Sequence, residues 1–331
     1  MENRYSRQIR YIGEYAQDRV SKSKVCIIGC GALGSASAEL LTRAGVGTIK
    51  LVDRDFLELS NLQRQHVFSE EDINKPKALA LAERLGKINS SIEIEPLVED
   101  FNSSKAESIV KGFDIVIDGL DNMHSRFILN EACVKLNMPW VYGSAIRNMG
   151  HTSFIDVNMN CLNCFIKTLP SETETCETSG VTNSITSLIS AIQVNETLKY
   201  LGNQKYTLLR LFLYIDLEHM IMKSFGVSKD PDCRVCSLKK FDFLEKKESS
   251  WITSLCGKNS YHFSPPSKIG LDLQGARARI PQEFSVSAEN KSLVRAHSGD
   301  KEITVFNDGR MITKNIEKNE AETVCKKIVL I

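Results

Sequence analysis

The sequence predicts an α/β protein with a doubly wound, mostly parallel sheet that an antiparallel part continues, followed by a small C-terminal α+β domain. Three observations predict this fold. Short apolar runs alternate with helical patterns between residues 24 and 142, a glycine turn follows the first apolar run, and an aspartate ends the second. Strands that alternate with helices favour a parallel sheet with helices on both faces.

The elements of this sheet follow one another along the first part of the chain. Apolar runs predict strands at 24–28, 47–53, 92–97, 113–118 and 139–142. Apolar residues at helical spacing predict helices at about 32–44, 76–88 and 125–136. The chain therefore begins as strand, glycine turn, helix and strand, which is the arrangement of a βαβ unit.

The pattern loosens after these elements. Residues 158–181, rich in Thr, Ser, Glu and Asn, predict a long loop, with a crossover segment at about 165–182. A helix at 185–201 and strands at 207–217 and 220–225 complete a first domain, which we place at residues 1–250. We interpret its charged end, residues 241–250, as a surface linker.

The remaining residues, 251–331, predict a small C-terminal β-hairpin and α domain. Residues 303–312 have the pattern of a β-hairpin, because Asp308-Gly309 can supply the positive φ angles of a tight turn. A helix at 320–328 would cover that hairpin.

Composition and charge exclude several classes of function. The 42 Lys and Arg residues nearly cancel the 41 Asp and Glu residues, so the formal net charge is +1 and nucleic-acid binding is not expected. No apolar run reaches the ~20 residues of a membrane helix, and the N-terminal residues lack an apolar signal core. We therefore expect a cytoplasmic protein that binds no membrane and keeps its ten cysteines reduced.

The glycine turn predicts a nucleotide site. Gly29, Gly31 and Gly34 allow a tight turn and let phosphate oxygens approach the N–H groups at the start of the next helix. Asp53 ends the second strand about twenty residues further on, where a carboxylate can accept a hydrogen bond from a ribose hydroxyl. These features alone fit an NAD-dependent oxidoreductase equally well.

Charged and polar residues near these strand ends favour a triphosphate. Asp55, Asn61, Arg64 and Lys77 follow the second strand, and Asp121 follows the fourth. Ligands bind at the carboxyl ends of strands in such a sheet, so these side chains can converge on one nucleotide. Two cations can neutralise phosphate oxygens, and an aspartate can hold Mg²⁺ beside them.

Four further residues form two Cys-x-x-Cys pairs, which are typical of a metal site. They are Cys161, Cys164, Cys233 and Cys236. Four thiolates complete a tetrahedral Zn²⁺ site and leave no position for water, so such a site would be structural. An iron–sulfur cluster uses the same ligands, and disulfides or simple burial are further alternatives.

In combination, these motifs resemble the ThiF/MoeB/HesA family, the prokaryotic relatives of ubiquitin-activating enzymes. The resemblance runs from Arg4 to about Cys236. Its motifs are Arg4-Tyr5-Ser6-Arg7-Gln8, the glycine turn 29–34, Asp53-Arg54-Asp55, Ser60-Asn61-Leu62-Gln63-Arg64-Gln65, Lys75-Pro76-Lys77, Asp121-Asn122 and residues 175–181. Ala32 stands where many members have a glycine.

The resemblance implies an ATP-dependent adenylyltransferase that acts on a ubiquitin-like or sulfur-carrier protein with a flexible C-terminal tail. Asp53 would hold the ribose of ATP, and Asp121 the Mg²⁺. The phosphates would contact Asn61, Arg64 and Lys77. The tail carboxylate would attack the α-phosphate, release pyrophosphate and form an acyl adenylate, and it needs no general base because it is ionised at neutral pH. Cations must clamp the two approaching anions.

The resemblance also favours zinc in the cysteine site and gives roles to two other residues. Arg7 would reach the triphosphate of the neighbouring subunit in a homodimer. Cys176, in the crossover segment, would either serve for a thioester, a persulfide or an acyl disulfide with the carrier, as in some relatives, or be an inert thiol. Two neighbouring glutamates, Glu174 and Glu177, disfavour the reactive thiolate.

Two alternatives stay open at this point. A catalytically silent scaffold would keep the fold and bind a ubiquitin-like protein, but it would have no use for Arg7, Arg64 and Lys77. An NAD-dependent oxidoreductase would share the glycine turn and Asp53, but it would leave the cations and the cysteine pairs without a role.

Overall fold

The computed structural model describes residues 4–167, 179–204, 208–246, 252–254, 259–263, 265, 269–289, 291 and 293–329. The chain divides into two compact units, Met1–Lys247 and Glu248–Ile331. Among the described helices, none combines the length and the apolarity that a membrane crossing requires.

The first unit is built on one eight-stranded sheet. In chain order its strands are β1 (Lys24–Ile28), β2 (Thr48–Val52), β3 (Glu93–Leu97), β4 (Ile115–Asp118), β5 (Trp140–Ile146), β6 (Met149–Ile155), β7 (Leu211–Asp216) and β8 (Ile221–Gly226). Their order across the sheet is β3-β2-β1-β4-β5-β6-β7-β8. The first five are parallel and the last four, from β5 onward, pair antiparallel, which confirms the predicted architecture.

Helices cover both faces of this sheet. They are α1 (Ser6–Ile12), α2 (Glu14–Lys22), α3 (Ala32–Ala44), α4 (Lys77–Ile88), α5 (Ala106–Val110), α6 (Met123–Lys135), α7 (Asn183–Leu201) and α8 (Asp242–Glu245). One buried cluster contains Val25, Ile27, Leu41 and Leu81, and the other contains Cys26, Ile28, Leu129 and Trp140. Alternate residues of β1 thus enter opposite cores, as expected for a strand that is buried on both faces.

The sheet brings three loops to one edge. β1 lies between β2 and β4, and all three strands are parallel. Their carboxyl ends are followed by the glycine turn, by Asp53 and by the residues 119–121. Because the chain leaves β1 towards β2 on one side and pairs with β4 on the other, this edge is a topological switch point, where open α/β sheets bind ligands.

The end of the first unit differs from the predicted surface linker. Residues 242–245 form α8, and the Glu131 carboxylate accepts hydrogen bonds from the backbone N–H groups of Phe243 and Leu244, both at 2.9 Å. The ring of Phe243 stacks on Phe127, with centroids 5.0 Å apart. The charged run therefore begins as a packed helix, because its two apolar residues face α6.

The second unit is a six-stranded antiparallel sheet with two helices. Its elements are β9 (Ile252–Ser254), β10 (Tyr261–Phe263), α9 (Leu273–Ala278), β11 (Ser285–Glu289), β12 (Leu293–Ser298), β13 (Lys301–Phe306), β14 (Met311–Lys314) and α10 (Lys318–Ile328). The strand order is β11-β12-β13-β14-β10-β9. Val305 and Met311 belong to a core with Val324 and Ile328 of α10, so the predicted helix and hairpin share one core.

The turn of the β13–β14 hairpin differs from the expectation. Gly309 has φ of 84°, whereas Asp308 does not enter the left-handed region. The N–H of Gly309 donates to the carbonyl of Phe306 at 3.0 Å, and the N–H of Phe306 donates to the carbonyl of Arg310 at 2.9 Å. The loop therefore has three residues with one left-handed glycine at its end, instead of two residues with positive φ.

Candidate active site

The glycine turn is fixed by backbone contacts that leave no room for side chains. Gly29 has φ of 90°, and a Cβ there would collide with the carbonyl group of Gly119. A Cβ on Gly34 would collide with the carbonyl oxygen of Gly29. Two of the three predicted glycines therefore serve close packing, and Gly119, in the loop after β4, is a third member of this contact that the sequence analysis did not identify.

Gly31 has a different role from its neighbours. It is the residue before α3, and the nearest atom to a Cβ placed on it is Nε2 of Gln65, at 3.9 Å. No other atom of the described residues outside its chain neighbours would lie within 4 Å of that Cβ, so there is free space beside the start of α3. A phosphate group that binds a helix N-terminus needs free space at such a place.

Asp53 is held beside the turn by two backbone donors. Its Oδ2 accepts the N–H of Cys30 and its Oδ1 accepts the N–H of Asp55, both at 2.7 Å. Desolvation, which is the largest effect, raises the pKa of Asp53 to about 6, although the charge of Lys77 lowers it. The carboxylate is thus oriented by the glycine turn itself.

Lys77 supplies a buried cation at the first residue of α4. Its Nζ lies 3.3 Å from Oδ2 of Asp55, and only 10% of its side chain is exposed. Burial alone would lower the pKa of Lys77, but Asp55, Asp53 and Asp121 outweigh it and raise the pKa above its usual value. The ammonium group therefore stays charged throughout the neutral range.

Asp121 completes the group from the loop after β4. It is exposed, and its Oδ1 accepts a hydrogen bond from the side chain of Asn122 at 3.1 Å. Its charge acts on Lys77 and also on Arg54, whose guanidinium forms an ion pair with Asp100 at 2.7 Å. The structure thus brings Asp53, Asp55, Lys77 and Asp121 together over the glycine turn.

Asn61 and Arg64 lie in the turn that precedes α4. Asn61 is buried, and its side-chain oxygen accepts the N–H of Glu58 at 3.3 Å. Arg64 donates through Nη1 to the carbonyl of Ser60 at 3.0 Å, so it bonds within its own turn. Its neighbour Gln65, whose side chain approaches Gly31, connects this turn to the start of α3.

Two residues near the site were missed by the sequence analysis. Gln65 is 3% exposed, and its Oε1 has no hydrogen-bond partner in the described part of the chain. Arg54 and its partner Asp100 join the loops after β2 and β3. Gln65 and Arg54 were both inside motifs that carried the resemblance, but their roles depend on contacts with distant parts of the chain.

Two predicted residues are not part of this group. Arg7 lies on α1, which has no buried residue, and it is exposed. Cys176 lies outside the described residues.

The four predicted cysteine ligands meet at a separate place. Their Sγ atoms all lie within 4.8 Å of one another, with 3.6 Å between Cys161 and Cys233 and 3.5 Å between Cys164 and Cys236. A tetrahedral metal with bonds of about 2.3 Å to sulfur has sulfur atoms about 3.8 Å apart, so the set fits such a metal. A disulfide needs about 2.0 Å, so the disulfide alternative is wrong.

Comparisons with known proteins identify a family and similar relatives for this chain. A family model described as the ThiF family matches residues 5–235. The sulfur carrier protein ThiS adenylyltransferase of Bacillus subtilis is 34% identical over 318 residues, which cover 94% of this chain and 94% of that protein. Because the alignment covers 94% of this chain, it extends into the second unit.

Two further comparisons cover about seven tenths of this chain. The SAMP-activating enzyme E1 of Haloferax volcanii is 30% identical over 253 residues, which cover 73% of this chain and 94% of that protein. A crystal structure of E. coli MccB with ATP superposes with a TM-score of 0.64 at 25% identity, over 71% of this chain and 75% of that chain. On its sequence and its fold, this chain belongs to the ThiF family.

Proposed function

We propose that this chain is an ATP-dependent adenylyltransferase that activates the C-terminal carboxylate of a sulfur-carrier or ubiquitin-like protein. The observation that carries the proposal is the buried, charged Lys77 beside Asp55 at the nucleotide edge of the sheet. The relatives from Bacillus subtilis and Haloferax volcanii, whose names describe carrier adenylation and SAMP activation, support the same reaction.

The reaction joins two anions, so the electrostatic repulsion between the tail carboxylate and the phosphates is the main barrier. The tail carboxylate attacks the α-phosphorus, the bond to the bridging oxygen breaks, and pyrophosphate leaves with that electron pair. Lys77 lowers the cost of this approach because its ammonium is fixed before the substrates arrive. The N–H groups that begin α3 and the side chains of Asn61, Arg64 and Gln65 would orient the phosphates.

Metal ions fit two places in the proposed enzyme. The exposed carboxylate of Asp121 would hold Mg²⁺, which supplies further positive charge on the phosphates. Zn²⁺ would occupy the four-cysteine site, where it ties the loop after β6 to the loop after β8. Asp53 would accept a hydrogen bond from the ribose.

Two surfaces would receive protein partners. On β8 and the turn before it, Met220, Met222 and Phe225 are 82%, 60% and 53% exposed, which is unusual for apolar side chains on an unpaired edge strand. We assign this edge to the body of the carrier. The exposed Tyr11 and Tyr15 would contact a second copy of the chain, whose triphosphate Arg7 would reach.

The proposal predicts ATP–pyrophosphate exchange that depends on the carrier. Lys77→Ala should lower the exchange rate by roughly 100-fold, because it removes a preorganised cation. Lys75→Ala is the matched control, since Lys75 lies two residues away and is 42% exposed. The assay would use each small sulfur-carrier and ubiquitin-like protein of the source organism.

Two results of this assay would change the assignment. Binding of a carrier without exchange would favour the silent scaffold, and NADH oxidation without exchange would favour the oxidoreductase.

Cys176→Ala is expected to keep the exchange and to block later transfer to sulfur or protein, because the covalent step would follow adenylation. Complete transfer by that variant would show that Cys176 is an inert thiol.

The glycines predict separate effects on folding and on binding. Gly34→Ala should lower the melting temperature, because its Cβ would overlap the Gly29 carbonyl. Gly31→Ala should fold normally and weaken ATP binding about tenfold, because its Cβ would enter the free space beside the start of α3. Thermal unfolding and titration with ATP measure the two effects, and wild-type affinity in Gly31→Ala would contradict the assigned phosphate position.

The raised pKa of Asp53, about 6, predicts a pH-dependent preference for the ribose. As the pH falls through this value the carboxylate is protonated and accepts a hydrogen bond less well. The preference for ATP over 2′-deoxy-ATP should therefore be largest above neutral pH and decrease several-fold in mild acid. The ratio of the two dissociation constants cancels the titration of the phosphates, and a constant ratio would argue against Asp53 as the ribose ligand.

The cysteine site predicts one Zn²⁺ per chain in the purified protein. Cys161→Ser should lose the metal and lower the melting temperature by at least ~5 °C, because the two loops lose their common ligand. Cys325→Ser alters a buried cysteine of the second unit and should keep the metal. Metal analysis by mass spectrometry identifies the bound metal and its amount per chain. Iron with sulfide in place of zinc would show that the site holds an iron–sulfur cluster.

A further inference from the structure

We propose that Arg126 and Asp118 are positioning residues, which fix the backbone of the loop 119–121 so that the Asp121 carboxylate faces the nucleotide. This inference rests on the proposed function, because Asp121 is assigned to the Mg²⁺ of bound ATP. Neither residue of the pair would touch the nucleotide.

The Arg126 guanidinium joins its own helix, α6, to two other parts of the chain. Its Nε donates to Oδ2 of Asp118 at 2.8 Å, and its Nη2 donates to the carbonyl oxygens of Leu120 at 2.6 Å and Gly143 at 2.7 Å. The side chains of the pair are only 7% and 0% exposed. A buried cation thus bonds the loop after β4 to the middle of β5.

Asp118 holds the same loop from the other side. Its Oδ1 accepts the N–H of Leu120 at 2.8 Å, and its Oδ2 also accepts the N–H of Gly143 at 3.3 Å. Its own carbonyl accepts a hydrogen bond from Gln193 of α7 at 2.9 Å. Both backbone polar groups of Leu120 are therefore fixed, and the Leu120 carbonyl belongs to the peptide unit that leads into Asp121.

The residues on either side of this peptide unit are fixed as well. Gly119 packs against the backbone of Gly29 and Gly34 without room for a Cβ. The Asn122 side chain accepts the N–H of Ser125 at 2.8 Å and caps α6. Asp121 is thus an exposed residue whose backbone is held on both sides, so the position from which its carboxylate extends is fixed.

A contribution to the stability of the fold does not by itself explain why the ion pair of Arg126 and Asp118 is buried. Replacing such a pair with apolar residues is often neutral or stabilising, because two charges must lose their hydration. Here each charge is compensated by backbone groups of the loop that carries Asp121. Burial, the largest effect, lowers the pKa of Arg126, but the charges of Asp118, Tyr142 and Asp121 outweigh it and raise this pKa above its usual value, which agrees with the proximity of Asp121.

A second buried carboxylate offers a matched control. Asp72 is 2% exposed, and Arg84 binds it through Nε at 2.9 Å and Nη2 at 2.6 Å. The other partners of this pair include Ser69 and Lys75, which lie outside the nucleotide edge. The Arg84 side chain is 29% exposed, so Arg84→Lys reports the cost of weakening a partly buried ion pair without affecting the loop of Asp121.

The experiment compares Arg126→Lys with Arg84→Lys in the full-length chain. Lysine keeps the charge but cannot bond Asp118, Leu120 and Gly143 in the same geometry. Both variants should lose thermal stability. Mg²⁺ should increase the ATP affinity of Arg126→Lys about tenfold less than it increases the ATP affinity of the wild type or of Arg84→Lys. The ATP affinity of Arg126→Lys without metal should be unchanged. Calorimetric titration with and without Mg²⁺ measures this gain and needs no carrier.

Two outcomes would contradict the proposal. A wild-type Mg²⁺ effect in Arg126→Lys would overturn it and leave the pair a purely structural role. Should that variant not fold, Asp118→Asn replaces it, with the same expected loss. In an Asp121→Asn background, Arg126→Lys should have no further effect on the Mg²⁺ dependence, and an additive loss would contradict action through Asp121. Failure of carrier-dependent exchange in the wild type would refute the proposed function without altering these binding results.

Discussion

The close approach of three glycines is the constraint on which the rest of the site depends. Gly29 and Gly34 meet within one turn, and Gly119 of a distant loop packs against both. Backbone contacts at this distance exclude any side chain, so the start of α3 and the loop of Asp121 must open into the same crevice. In the proposed enzyme, packing alone would thereby place a phosphate at the helix beside a carboxylate for its metal ion.

The charges around this crevice suit a ligand that carries both negative and positive charge. Asp55 already compensates Lys77, and Asp100 already compensates Arg54. Asp53 and Asp121 then leave an excess of negative charge at the edge of the sheet. A triphosphate together with a divalent cation fits this balance better than a bare anion, because the cation offsets the carboxylates while Lys77 and the helix N-terminus face the phosphates.

Local patterns predicted the fold well, and long-range contacts explain what they missed. The strands β1 to β5 and the glycine turn have strong sequence signals, because each needs an apolar run or a glycine at a fixed place. β6 was missed because Gly150, His151 and Thr152 interrupt its apolar pattern, although Thr152 is fully buried. Arg126 and Gln65 resemble ordinary polar residues in sequence, and only the contacts of the folded chain distinguish them.

Strand β5 connects the chemistry to the surface assigned to the carrier. It pairs in parallel with β4 at Trp140 and Val141 and antiparallel with β6 along its whole length, so it belongs to both halves of the sheet. Gly143, in its middle, is bonded to the pair that fixes the loop of Asp121. From there, β6 and β7 lead without interruption to the exposed edge β8. A carrier bound at that edge would therefore rest on the same continuous sheet that would orient the nucleotide, which would fix the distance from the start of its flexible tail to the α-phosphate.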